Sequence, residues 1–300
     1  MLHSAIGTGH ELGGRITNAG LVNAMSVDVE EWFQVGAFEK VIDRADWPAC
    51  ESRVERNTDA VIAMFGEMGV TATFFTLGWV AERYPALIRR IVDAGHEIAS
   101  HGVDHARVFT MDPETFRADL RRARAALEDA SGTKVIGYRA PSFSIDKRTP
   151  WAHVVLAEEG YTYSSSVAPV VHDHYGWPEA SRFAFRPLAD SSLLELPVTT
   201  APIAGRNVAM GGGFFRVLPS LVTNWAVRRV NETEDRPAVF YFHPWEIDPG
   251  QPRVDAAPLK SKLRHYSGLA GMEGKLKGLM ARHAWGRTDA VAASEAARLS

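Results

Sequence analysis

The stretch Gly69-Val70-Thr71-Ala72-Thr73-Phe74-Phe75 decides the fold. A helical apolar period over residues 53–68 is stopped by Gly69, and six residues rich in β-branched and aromatic side chains follow at once, as a buried strand does. The same unit recurs downstream. Residues 81–94 read as a helix despite Pro85, end at Gly95 and lead into a strand over 96–100. Asp112 is placed to cap the next helix, with Pro113 in its first turn and Gly132 at its end, before a strand over 135–139. Thr149, Pro150 and Gly160 bracket a further helix, and a strand begins at Tyr161. Later strands are expected over 193–198 and 238–243, with a helix over 219–231 between them. Helices separating strands through such short links imply parallel βα units, in a barrel or a wound sheet.

Chemistry-bearing residues collect at the trailing ends of these strands. In Ser26-Val27-Asp28-Val29-Glu30-Glu31-Trp32 the period of two aims Asp28 and Glu30 at one face and Val27 and Val29 at the other. About seventy residues later comes Ser100-His101-Gly102-Val103-Asp104-His105. Two histidines four apart can reach one ion, and imidazole plus carboxylate with open positions left over is the donor set of a catalytic metal centre. Arg139 ends the strand over 135–139 and His243 the one over 238–243. A βα barrel assembles its active site from the carboxyl ends of several strands, so these groups fit one mouth.

Composition narrows the class of protein. With 300 residues, 46% of them hydrophobic and 23% charged, the chain matches an ordinary soluble enzyme. A net charge of −3 offers no basic field for nucleic acid, and no apolar run is long enough to cross a bilayer. A single cysteine, Cys50, cannot form an internal disulfide. Residues 1–24, with five glycines and no basic start or apolar middle of a secretory signal, read as a flexible tail on a cytoplasmic protein. Residues 25–300 read as one domain, and a homo-oligomer is left open.

Ser26-Val27-Asp28-Val29-Glu30, Ser100-His101-Gly102-Val103-Asp104-His105, Arg139-Ala140-Pro141-Ser142-Phe143 and Tyr241-Phe242-His243 resemble, in order, the motifs of the polysaccharide deacetylases of carbohydrate esterase family 4, the NodB-homology fold. The surroundings of Ala72 to Trp79 and of Gly95 to Gly102 are similar to a branch linked with bacterial exopolysaccharide and exosortase loci. Resemblance spans residues 25–285, and Arg264-His265-Tyr266-Ser267-Gly268-Leu269 resembles that branch's C-terminal extension, at about 250–285.

The resemblance implies a distorted (β/α) barrel and removal of acetyl groups from N-acetylated amino sugars of a polysaccharide or lipid-linked glycan. It implies that Glu30, His101 and His105 hold a divalent metal, zinc first, with cobalt, nickel or iron as alternatives. The commoner family pattern has two adjacent Asp residues, base then ligand; here Val29 takes the second place and faces away, so the ligand role moves to Glu30. Asp28 would be the general base, Arg139 its partner, His243 the acid for the leaving amine, and a backbone N–H near Phe143 an oxyanion donor.

Two departures alter the pattern. Relatives often carry an acid where Ser164 stands, a partner for the acid histidine, and Glu195 is the candidate replacement. Gly211-Gly212-Gly213 could bring a loop, with Phe214, close to substrate or make an ordinary tight turn, and Trp245 could face a sugar ring or pack in the core. Two other readings compete: hydrolysis of a small cyclic imide or ureide, since the D-x-E form occurs in such relatives, and an inactive carbohydrate-binding protein.

Overall fold

A computed structural model describes residues 21–172 and 175–300. Residues 1–20 of the expected tail lie outside the described residues, and Asn23 and Ala24 already belong to the first strand. The strands are β1 Asn23–Val29, β2 Thr73–Thr76, β3 Glu97–Ser100, β4 Gly137–Tyr138, β5 Tyr163–Ser164, β6 Leu194–Glu195, β7 Thr200–Ile203, β8 Arg206–Ala209, β9 Val239–Phe242 and β10 Trp285–Gly286. Eight form one sheet in the order β10-β1-β2-β3-β4-β5-β6, with β9 also on β1, and every pairing in it is parallel. Past β6, Thr199 donates its N–H to Val239 O at 2.9 Å, so the sheet curls back against β9. This is the distorted barrel that the sequence leads one to expect.

Register builds the rim. Val29 pairs with Thr76, Thr76 with Ser100 and Ser100 with Tyr138, while Val27 pairs with Phe242. The residues that follow these strands, Glu30, His101, Arg139 and His243, therefore leave the sheet on one edge. The pleat sorts the two faces. Met25, Val27, Val29, Phe74 and Ile98 pack outward in the cluster shared with the helices, whereas Ala24, Phe75, Ala99 and Tyr163 fill the interior. Ser26 and Asp28 alternate with the outward valines and so share the inward face.

Local chemistry explains the helices. Val54–Met68 ends at Gly69 and Pro113–Ser131 at Gly132, both glycines in the left-handed conformation that spares a Cβ clash. Asp112 accepts the N–H of Thr115 at 2.8 Å, as a cap should. Pro85 breaks the helix expected over 81–94 into Gly78–Arg83 and Pro85–Asp93, because the residue before a proline is pushed out of the α region and Tyr84 sits at φ −127°, ψ 55°. The helix expected to start at Pro150 begins at Ala152, since Thr149 Oγ1 is engaged with Asp146. Toward the C-terminus, Met272, Leu276 and Leu279 of Met272–Met280 join the main core. No helix among the described residues is long and apolar enough to cross a membrane.

Candidate active site

Glu30, His101 and His105 converge, with one donor atom from each inside a 4.8 Å span. His101 is buried, and its Nδ1 lies 2.8 Å from Arg139 O, which can only accept. Nδ1 therefore carries the hydrogen and Nε2 is left as a lone-pair donor, the arrangement that fixes a ligating imidazole. Burial lowers the His101 pKa to about 4, so the ring is neutral near pH 7. His105 sits at φ +60°, a costly conformation for a non-glycine residue, and its Nε2 comes within 2.7 Å of Glu30 Oε2. That oxygen is buried, and one carboxylate grouped with two imidazoles is a donor set that fits a divalent ion with positions to spare. Although burial opposes it, the surrounding histidines hold the Glu30 carboxyl well below the usual carboxylate range.

Asp28 stands beside this cluster on the same strand face, 2% exposed. Arg139, fully buried, donates Nη1 to Asp28 Oδ1 and to Ser26 Oγ, each at 2.7 Å, Nε to Ser165 O at 3.0 Å and Nη2 to Ser165 Oγ at 2.8 Å. The Phe75 ring lies 4.1 Å from its guanidinium carbon. A buried ion pair with this many hydrogen bonds is fixed in place, and removing one partner costs roughly 3–5 kcal/mol. Asp28 Oδ2 is left facing His243 Nε2 at 4.0 Å.

His243 shows the clearest difference from the sequence reading. Its Nδ1 lies 3.1 Å from Glu246 Oε2, which also accepts the His243 backbone N–H at 2.9 Å. Glu246 Oε1 is 2.7 Å from Arg216 Nε, and Arg216 donates to Ser267 O at 3.1 Å, to Arg264 O at 2.9 Å and to His265 O. Burial alone would lower the His243 pKa, but Glu30, Glu246 and Asp28 outweigh it and hold it at about 9. The partner of the histidine is thus Glu246, three residues on.

Several sequence-predicted residues lie elsewhere. Glu195 is fully buried, with Oε1 accepting the N–H groups of Ser166 and Val167 and Oε2 3.1 Å from His153, so it neither reaches substrate nor tunes His243. Trp245 has both faces covered: its ring stacks on His243 at 5.0 Å and on His265 at 4.3 Å, and its Nε1 donates to Glu30 at 3.2 Å. Its ring is enclosed between two imidazoles and is 5% exposed. Phe143 N–H is donated to Ala140 O at 3.0 Å, so it is not free for an oxyanion; its ring packs on Tyr241 at 4.7 Å. Gly211 and Gly212 are small because Tyr241 crowds them, a Cβ at either falling under 3.0 Å from that ring. Phe214, on Gly212–Val217, is exposed, while its neighbour Phe215 packs on Phe240.

Comparison with known proteins fits this geometry. Residues 46–164 match the polysaccharide deacetylase family, and residues 165–293 match a domain of unknown function, DUF3473. A peptidoglycan deacetylase-like protein of Gibberella zeae is 32% identical over 96 residues, 32% of this chain and 28% of that protein. The peptidoglycan deacetylase of Helicobacter pylori is 27% identical over 107 residues, 36% of each. The chain thus matches about a third of the length of these relatives. A Mycobacterium smegmatis crystal structure assigned to polysaccharide deacetylases superposes with a TM-score of 0.62, at 21% identity, over 96% of this chain and 95% of that one. Residues 46–164 thus match the polysaccharide deacetylase family, and the fold of the whole chain is the one that crystal structure has.

Proposed function

We propose that this protein is a metal-dependent N-deacetylase acting on N-acetylated amino sugars of a polysaccharide or lipid-linked glycan in exopolysaccharide biosynthesis. The observation that carries the reading is the convergence of donor atoms of Glu30, His101 and His105 within 4.8 Å of one another, flanked by the buried Asp28–Arg139 pair and by His243. Glu30, His101 and His105 would hold the ion, zinc by default. When bound, it supplies Lewis-acid polarisation of the acetamide carbonyl and makes water a better nucleophile near neutrality.

The chain's own residues do the rest. Asp28, with Oδ1 pinned by Arg139, takes the proton of the attacking water on Oδ2. His243, with Nδ1 held by Glu246, presents Nε2 to the site and gives its proton to the leaving nitrogen as the C–N bond breaks. One water is consumed, and acetate and a free amine are released. Trp245 and Tyr241 wall the histidine, its ring 5.0 Å and 5.9 Å from theirs, and limit water around it. Acetate release from N-acetylglucosamine oligomers, lipid-linked glycans and small imides, on metal-stripped and reloaded protein, tests the reading. Turnover of the imides alone would overturn it.

A further inference from the structure

Six of the ten large apolar side chains that are exposed among the described residues fall on three helices of the second half. Phe214 and Val217, three apart, share a face of Gly212–Val217, and Leu221 and Trp225, four apart, share a face of Ser220–Glu232, with only Leu218 and Pro219 between the two helices. Leu259 and Leu263 repeat the spacing on Leu259–Tyr266. Arg216, between Phe214 and Val217, donates to the carbonyls of Arg264 at 2.9 Å and Ser267 at 3.1 Å, so the end of that third helix is tied to the first. The exposure is deep. Leu221 is 81% exposed and Leu259 71%, and although a single exposed leucine is ordinary, such a gathering marks a surface that something covers.

Charge indicates what covers it. Residues 253–283 carry seven Lys and Arg against two Asp and Glu, and residues 196–231 carry four Arg and no acid, in a chain whose net charge is −3. Both stretches are locally basic. Beside Leu259 and Leu263 in the chain, Lys260 and Arg264 are exposed and Lys262 is half-buried. Leucine, phenylalanine and tryptophan bordered by Lys and Arg suit the boundary of an anionic bilayer, where apolar side chains enter the acyl region and cations meet the headgroups. A second copy of the chain fits less well, because a two-fold contact would set this basic border against itself. Arg216 is also bonded to Glu246 behind His243, so the surface adjoins the wall of the active site.

We infer that the face formed by Phe214, Val217, Leu221, Trp225, Leu259 and Leu263 docks the protein on an anionic membrane surface. The inference stands apart from the deacetylase reading, because its readout is binding and not turnover. The full chain is sedimented with vesicles of phosphatidylcholine and phosphatidylglycerol in equal parts, and with vesicles of phosphatidylcholine alone. Wild type should bind the mixed vesicles at least about tenfold more tightly than the neutral ones, and 0.5 M salt should remove most of that difference. Two double variants then divide the surface. Leu221→Ser with Leu263→Ser should weaken binding to the mixed vesicles by about tenfold or more, and Lys260→Gln with Lys262→Gln by about five- to twenty-fivefold, a factor of about five for each cation removed. All four side chains lie at least partly in solvent, and thermal melts check that the variants fold; the charge pair carries the test should the leucine pair melt early. Absence of wild type from the vesicle pellet overturns the inference, as does equal binding of wild type and both variants. A wild-type dimer that Leu221→Ser with Leu263→Ser dissolves, without vesicle binding, would assign the face to a second copy instead. Vesicle binding without acetate release would sink the deacetylase reading alone; acetate release without vesicle binding would sink the docking face alone.

Discussion

The two halves of the chain contribute to the site by different means. Up to Arg139, the groups are placed by backbone register: Glu30, His101 and Arg139 each follow a strand whose last residue is paired to its neighbour. From Arg216 onward, placement depends on side chains. His243 is held by Glu246, Glu246 by Arg216, and Arg216 by the carbonyls of residues 264–267. A register-built cluster resists single substitutions because the sheet carries the geometry, whereas a side-chain relay is only as rigid as each buried link. The first half should therefore lose chemistry cleanly when altered, and the second should lose chemistry and order together.

Asp28→Asn gives the largest effect expected. The backbone register is untouched and an amide oxygen can still accept from Arg139, so the protein should fold and keep its metal with a lower melting point, as loss of a buried charge predicts, while deacetylation falls by about two to four orders of magnitude, the weight of a positioned base. Steady-state acetate release with elemental analysis of the same sample checks both parts. Near wild-type turnover would remove Asp28 from the mechanism.

His243→Ala comes next and separates proton delivery from positioning. An amide needs its leaving nitrogen protonated and an activated aryl ester hardly does, so the loss on N-acetyl sugars should exceed the loss on the ester by at least about tenfold. Equal losses would make His243 a positioning group. Behind it, Glu246→Gln keeps a hydrogen-bonding partner but removes the charge. Activity on amides should fall about ten- to a hundredfold, the usual effect of losing a partner behind a working side chain, with the same bias against amides over esters. If this variant matches wild type, the relay from Arg216 does not serve the histidine.

The smallest effect lies at the opposite end of the barrel. Glu97, at the start of β3, accepts from Thr73 and from Tyr163 at 2.9 Å. Burial, with the nearby Asp289 carboxylate, raises its pKa to about 7. An acid raised above its unfolded value of 4.5 binds more protons when folded, so its stability contribution is complete below about pH 4.5 and is lost as pH rises through 7. Glu97→Gln should melt higher than wild type at pH 8, by an amount corresponding to roughly 1–3 kcal/mol, with the advantage gone near pH 5. A gain of the same size at both pH values would exclude titration as its cause.

What the sequence makes legible follows the same division. Asp28, Glu30, His101, His105 and Arg139 are readable because strand period and glycine-stopped helices place them at strand ends, and parallel register then brings them together. Glu246 is less visible: in His243-Pro244-Trp245-Glu246 an acid three residues after a cap reads as a capping-box glutamate, and it does cap, accepting the His243 N–H. That i, i+3 spacing was the available signal for the partner of His243. Arg216 carries no local signal, since its partners lie thirty to fifty residues away. The β7–β8 hairpin was hidden for a simpler reason. Its turn is Ala204-Gly205, both at positive φ, and alanine at the first position masks the Asn-Gly or Asp-Gly pair that marks such turns.

The account rests most heavily on the ion at Glu30, His101 and His105. Chelator-treated protein is assayed for acetate release from N-acetylglucosamine oligomers before and after one equivalent of zinc, alongside His101→Ala handled identically. The predicted result is activity lost on stripping, restored by the single equivalent, and unrestored in His101→Ala, which retains no stoichiometric metal. Full acetate release by metal-free protein, or stoichiometric zinc and activity in His101→Ala, would contradict it.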